Sequence, residues 1–459
     1  MAVHPIDYRY GTEEMRSVWS EENKLRKMLN VEIALARAEE ETGDIPEGTA
    51  DEIADASEDV TLERVKEIEA EIHHDVMAVV RAVEEQCDDE SDAGEYIHFG
   101  ATSNDVIDTA DALRLRESCD ILEGRLKELR DALVEKADEH KRTVCAGRTH
   151  GQIGVPTTWG HKFAVWASEV DRHLDRLEGV RERVEVGQMS GAVGTQASFV
   201  RRIADEDTYG VGGSENAREI SRRTMEELDL REEEISTQII ARDRHAEYVG
   251  WLANVVTTLD KICTNVRNMQ RTEIAEVEEG FGAQQVGSST MPHKRNPVKS
   301  ENVCGLARVV RGFVETQLQN NVLWEERDLT NSSSERVVFA ETSVLADHCV
   351  NRTTNVIEGL GFHDEEIREN LEMLDGVNMA EAVMMELARR GYGRQKGHEA
   401  VRRAAMRAHK EGLSMKESLL QDEEIGEWLD EDEIETLIDP DGYIGTSVER
   451  VEEVVERLR

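Results

Sequence analysis

The sequence predicts an essentially all-α protein, and three observations carry that prediction. Only six prolines occur in 459 residues. The stretches between Pro156 and Pro292, and between Pro297 and Pro440, contain none, and Ala/Glu/Arg/Leu-rich sequence of that length favours helix. Aromatic residues make up only 4%, and no Asn-Gly type of hairpin signal sits between alternating strands.

The elements follow in order. A first helix is expected over 12–42, where Trp19, Leu25, Met28, Leu29, Ile33 and Ala36 recur at helical spacing and Gly43-Asp44-Ile45-Pro46 ends the run. A second is expected over 61–86. Residues 91–105 read as a loop. Long helices are expected over 106–142, 157–185, 233–276 and 298–321; several exceed ordinary globular length and suit a bundle. Glycine-containing segments at 187–194 and 280–287 interrupt them. Shorter helices fill 351–459, separated at 391–393 and 439–442. No internal repeat shows. The pattern suggests an N-terminal helical domain over 1–105, a central long-helix bundle over 106–350 and a C-terminal helical domain over 351–459.

Charge narrows the function. Lys plus Arg number 55 and Asp plus Glu number 98, a formal net charge of -43. That balance opposes a nucleic-acid or anionic-membrane partner, since both need a basic face. The 39% hydrophobic content separates the chain from disordered acidic sequences. Acid excess costs self-repulsion in dilute salt, and much of that cost vanishes at about 1 M, where the Debye length is about 3 Å. The basic residues are mostly Arg. The expectation is a salt-adapted cytoplasmic protein. Six cysteines (Cys87, Cys119, Cys145, Cys263, Cys304 and Cys349) lie far apart, with no zinc-type spacing, so reduced thiols are expected rather than disulfides or structural zinc. No apolar run approaches the ~20 residues that span a bilayer. The N-terminus lacks the charged-then-apolar pattern of a signal peptide.

The most specific segment is Gly287-Ser-Ser-Thr-Met-Pro-His-Lys-Arg-Asn-Pro297. Such a loop presents backbone N–H groups, a hydroxyl pair and a cation to an anionic ligand. A generic loop of this composition would be a solvated linker. This string instead resembles the GSSxMPxKxNP signature of the fumarase/aspartase superfamily. The resemblance implies a fold of three domains with a central bundle of long helices, assembly as a homotetramer, and active sites that draw residues from three subunits. It also implies anti β-elimination across a C–N or C–O bond, usually releasing fumarate. That chemistry needs a base for a weakly acidic carbon, a stabiliser for the resulting carboxylate dianion, and an acid for the leaving group.

On that resemblance Ser288 matches the general base. A serine hydroxyl is a poor base unless neighbouring N–H groups and a cation such as Lys294 stabilise its alkoxide. Lys294 and Asn296 match positions that hold the carboxylate whose charge grows. Gly147-Arg-Thr-His-Gly-Gln152 resembles the GRTHGQ motif of adenylosuccinate lyases, which makes His150 the expected general acid. Glu301, five residues after Asn296, matches the glutamate that orients this histidine. Phe99-Gly-Ala-Thr-Ser-Asn-Asp105, following His98, resembles the GxTSxD element in which Thr102 and Ser103 bind a substrate carboxylate. Asn104-Asp105 also reads as the N-terminal cap of the next helix, and a helix N-terminus is itself an anion site.

The string MPHKRNP, with His293 and Arg295, departs from fumarase, aspartase and argininosuccinate lyase patterns. It occurs in adenylosuccinate lyases and in bacterial carboxymuconate cycloisomerases. Other segments favour the former. Arg9-Tyr10 resembles the pair those enzymes use at the nucleotide phosphate. His73-His74-Asp75-Val76 resembles their RHDV-like element, with His74 and Asp75 at matching positions and His73 in place of the common arginine. Residues 324–336 resemble their WxERDxxxSxxER segment, in which Arg327, Ser332 and Arg336 match phosphate- and ribose-side positions. Ser332 and Arg336 share a face if the segment is helical. So acidic a protein must recruit a nucleotide through local cations. Ser236-Thr-Gln-Ile-Ile-Ala-Arg-Asp243 resembles their SxQxxxRD segment. Gln238 matches a substrate-binding glutamine, while Arg242 and Asp243 read as residues that hold helices together.

The resemblance therefore implies cleavage of adenylosuccinate to AMP and fumarate, and of the succinyl-carboxamide imidazole ribotide of purine synthesis to its carboxamide and fumarate. It implies small nucleotide substrates and neither metal nor organic cofactor. Two alternatives stay open: another superfamily member such as a carboxymuconate cycloisomerase, or a non-catalytic helical assembly protein. The joint presence of Ser288, His150, Lys294 and Glu301 argues against the second.

Overall fold

Side-chain caps set where the N-terminal helices begin. In the computed structural model, residues 4–88, 90–200, 212–280, 290–291 and 293–459 are described. Thr12 Oγ1 accepts the Met15 N–H and starts α1 (Glu13–Val18). Ser20 is extended, accepts the Asn23 N–H at 3.1 Å and starts α2 (Glu21–Thr42), which ends at the left-handed Gly43. The single helix expected over 12–42 is thus two, because Trp19 and Ser20 reset the backbone. After α3 (Thr49–Glu58), the helix expected over 61–86 also divides. α4 (Leu62–Ile72) stops at His73, whose φ is 56°. His74 is extended and caps α5 (Asp75–Glu84), its Nδ1 accepting the Met77 N–H at 3.2 Å. The paired histidines end one helix and begin the next.

α6 (Ser103–Glu139) follows, then a hairpin of β1 (Val144–Thr149) and antiparallel β2 (Gln152–Thr158). Next come α7 (Trp159–Val184), α8 (Gly212–Glu227), α9 (Asp243–Met269), α10 (Val298–Gln319) and α11 (Thr330–Glu358). The helix expected over 233–276 begins only at Asp243, because the Ile240 N–H is committed sideways to Asp108 at 2.9 Å. Seven shorter helices, from Asp364–Glu372 to Ser447–Leu458, complete the described chain. The remaining strand pairings are two residues long. The protein is all-α in character, as the proline-poor stretches predict.

The chain divides into two compact units. The first comprises Met1–Arg125, His173–Thr257 and Leu306–Cys349. Its core joins Leu25, Leu29 and Leu35 of α2 to Ile53, Val76, Val83, Val106, Leu113 and Ile220. Each such side chain stabilises the fold by about 1.5–3 kcal/mol when fully buried. The second comprises Leu126–Arg172, Thr258–Gly305 and Val350–Arg459. Within it the C-terminal helices have their own core of Val383, Leu387, Ala404, Met415, Ile425 and Ile434. The imidazole of His140 stacks on Phe362 at 3.8 Å. All six cysteines are free thiols, five of them buried. No helix among the described residues is long and apolar enough to cross a membrane.

Candidate active site

In the first unit the start of α6 is built by an unusual concentration of donors on one carboxylate. Gly100 has φ 77°, and a Cβ there would lie 2.9 Å from the Phe199 ring, so only glycine makes this turn. Asp105 accepts the N–H groups of Thr102 (2.9 Å), Ser190 (2.8 Å) and Gly191 (3.0 Å), and the Ser190 hydroxyl at 3.2 Å. Burial pushes its carboxyl above the ordinary carboxylate value, against those bonds. The expectation that Asn104-Asp105 caps the helix is corrected: Thr102 immediately precedes it, and Asp105 reaches back from the first turn. Thr102 and Ser103 remain half-buried at the N-terminus of a 37-residue helix. The positive end of a helix favours an anion.

His98, passed over by the motif reading, lies 2.8 Å from a Glu32 carboxylate that is only 1% exposed. Burial alone would lower the imidazole, but Glu32, with Asp105 further off, outweighs it and the net shift is upward.

A cleft in the same unit gathers residues from distant parts of the sequence. Arg327, Ser332 and Arg336 line it together with Lys24, Asn104 and Arg114. Arg327 Nη1 donates to Gln238 Oε1 at 2.8 Å, and Gln238 Nε2 donates to the Ala192 carbonyl at 2.7 Å. Burial holds the Arg327 guanidinium below its usual range. Arg336 Nη2 is 2.9 Å from Asp75 Oδ2, with Lys24 Nζ 3.9 Å from the same oxygen. Ser332 and Arg336 both lie in α11, so they share a helical face. Arg327, Ser332 and Arg336 thus line one cleft, with Gln238 bonded to the first and Asp75 to the last, and Lys24 joins them although no motif points to it.

Arg9 and Tyr10 do not line this cleft. Tyr10 packs on the His348 ring at 5.3 Å, and the next residues anchor there: Gly11 N–H donates to His348 Nδ1 and Thr12 to Asp347.

In the second unit His150 and Gly151 form the two-residue turn between β1 and β2. Their φ values are 53° and 76°, the doubly positive arrangement that closes tight hairpins. Thr149 and His150 are exposed at the tip. The hairpin is fastened by Arg148, whose Nη2 lies 2.6 Å from Glu276 Oε1; that carboxylate is fully buried. Glu301 is exposed in the first turns of α10. No hydrogen bond or ion pair joins it to His150 among the described residues. Lys294 is exposed and Asn296 half-buried.

The end of the signature segment is tied down by side chains that motif reading missed. Glu279 accepts the N–H groups of Lys299 (3.1 Å) and Ser300 (2.7 Å), capping α10. Arg295 pairs with Glu278 at 2.7 Å, and its carbonyl accepts Gln270 Nε2 at 3.2 Å. Ser288 lies outside the described residues. Among the described residues, no group of three or more His, Cys, Asp or Glu could hold a metal ion.

Comparison with known proteins bears on this arrangement. Residues 7–312 match the lyase family model, and residues 376–454 match the model of the adenylosuccinate lyase C-terminus. An adenylosuccinate lyase of Methanocaldococcus jannaschii is 51% identical over 100% of this chain and 96% of its own length. That of Archaeoglobus fulgidus is 52% identical over 99% of this chain and 98% of its own. Among solved structures, a fumarate lyase from Mesorhizobium sp. BNC1 superposes with TM-score 0.87 at 31% identity, covering 97% of this chain and 98% of that one. A 3-carboxy-cis,cis-muconate lactonizing enzyme from Pseudomonas putida gives 0.87 at 29% identity, over 99% of this chain and 98% of that one. The chain belongs to the adenylosuccinate lyase family.

Proposed function

We propose that this lyase splits adenylosuccinate into AMP and fumarate, and the succinyl-carboxamide imidazole ribotide into its carboxamide and fumarate. Identity of about half to adenylosuccinate lyases over essentially the whole chain carries this reading. Ser288 takes the proton from the succinyl carbon. The electron pair moves through the adjacent carboxylate, held by Lys294 and Asn296 as its charge grows, and then forms the new C=C bond as the C–N bond breaks. His150, supported by Glu301, protonates the departing nitrogen. Thr102 and Ser103, at the positive end of α6, hold a succinyl carboxylate. Arg9, Tyr10, His74, Asp75, Gln238, Arg327, Ser332 and Arg336 take the nucleotide side. A base, an acid and a carboxylate-binding cation suffice for this elimination, so we assign no cofactor.

His150 and Glu301 are exposed, and no hydrogen bond or ion pair joins them among the described residues, which supports a homotetramer whose sites combine three subunits. The strong acid excess supports a cytoplasm rich in salt as the working environment. A His150→Gln variant tests the acid role. Its turnover should fall by orders of magnitude and recover for a substrate with a better leaving group; no recovery would assign the proton to another residue.

The likeness to the lactonizing enzyme supports a second reading as a cycloisomerase. Carboxymuconate offered beside adenylosuccinate separates the two.

A further inference from the structure

Arg242 and Glu335 line the cleft and form with Asp108 a buried charge network that the proposed chemistry does not use. Arg242 donates to both carboxylate oxygens of Asp108, at 2.7 and 2.8 Å, and to the Ile240 carbonyl at 2.7 Å. Its Nε is 3.2 Å from Glu335 Oε1. The three side chains are 4%, 2% and 8% exposed for Arg242, Asp108 and Glu335. Asp108 also accepts the Ile240 N–H. Glu335 accepts Asn331 Nδ2 at 2.8 Å and Gln317 Nε2 at 3.2 Å.

Apolar residues of similar volume would hold these helices as well as a buried triad, so stability alone does not account for it. Its attachments do. One arm grips residues 240–242, just beyond Gln238, which in turn holds Arg327. The other arm grips Asn331 and Glu335, the residues immediately before Ser332 and Arg336. Burial pushes the Glu335 carboxyl up while Arg242 opposes that shift, and the Asp108 carboxylate favours the charge of Arg327 against its own burial.

We infer that Asp108, Arg242 and Glu335 are positioning residues that hold Arg327, Ser332 and Arg336 in register on one phosphate group of the substrate. This rests on the nucleotide reading above. A Glu335→Gln variant keeps the shape and loses the charge. Its KM for adenylosuccinate should rise about tenfold with kcat within about twofold, while the Ki of the dephosphorylated nucleoside, used as a competitive inhibitor, stays unchanged. Asp108→Asn serves as a second variant and should behave alike if Glu335→Gln lacks native helix content. An unchanged KM in a folded variant overturns the inference. So does a parallel rise in KM and in the nucleoside Ki, which a merely structural role would give. Wild type and Arg327→Ala run alongside. If wild type binds both forms equally and Arg327→Ala changes neither, the phosphate reading itself fails and the inference falls with it. If wild type discriminates and only Glu335→Gln is silent, the network inference alone fails.

Discussion

The Arg327 guanidinium donates to the amide oxygen of Gln238 at 2.8 Å, although 89 residues separate the two. Gln238 uses its other end on the Ala192 carbonyl, so the amide is fixed at both poles. This leaves the rest of the planar guanidinium to meet an oxyanion in a geometry suited to phosphate. Replacing Arg327 with alanine should raise KM for adenylosuccinate by about ten- to a hundredfold, the loss of one or two charge-assisted bonds, with a smaller change in kcat. Initial rates over a substrate series measure this. An unchanged KM would move the phosphate site elsewhere.

His98 and Glu32 give a pH prediction. The folded imidazole is raised above 6.5. A raised value means that the contact stabilises the fold fully below the unfolded value and loses that contribution as pH climbs through the folded one. Glu32→Gln removes the outweighing carboxylate and leaves burial dominant. The His98 midpoint should then fall below 6.5, as followed by proton NMR, and the stability gap between the two proteins should narrow as pH rises from about 6. A midpoint that stays put would mean that Glu32 does not govern this histidine.

Gly100 should tolerate no side chain. Gly100→Ala meets both a positive φ and the Phe199 ring. A loss of about 1–3 kcal/mol is expected in denaturant unfolding. Unchanged stability would show that Phe199 gives way freely.

The hairpin that presents His150 depends on a carboxylate far from it in sequence. Glu276→Ala strands the Arg148 charge in a largely buried setting, for an expected cost of about 3–5 kcal/mol. Chemical unfolding measures this. A change below about 1 kcal/mol would mark the pair as effectively solvated.

Much of the fold was legible because long proline-free, periodic stretches admit little but helix. The starts of α7 and α10 fall within two residues of expectation. What escaped was local and conformational. Nothing in Gly147-Arg-Thr-His-Gly-Gln152 alternates as a strand should. The hairpin exists because His150 and Gly151 both adopt positive φ, a choice that a Thr-His-Gly-Gln string signals only weakly. Trp19-Ser20 and His73-His74 look helical by periodicity, yet a serine and a histidine that accept backbone N–H groups reset the chain there. At the candidate site, the motifs name residues expected to meet a ligand. The residues that fasten the surrounding backbone and side chains (Glu32, Asp108, Glu276 and Glu279) carry no ligand chemistry of their own. They become visible only when the fold sets each one beside its donors.

The measurement that tests the account most directly is the ultraviolet absorbance change of adenylosuccinate with the wild-type chain and with Ser288→Ala, at about 0.1 M and about 3 M potassium chloride. The account predicts turnover by wild type, faster at high salt, and a rate lower by orders of magnitude for Ser288→Ala with its fold and assembly intact. No turnover at either salt by a folded wild-type protein, or near-wild-type turnover by Ser288→Ala, would contradict it.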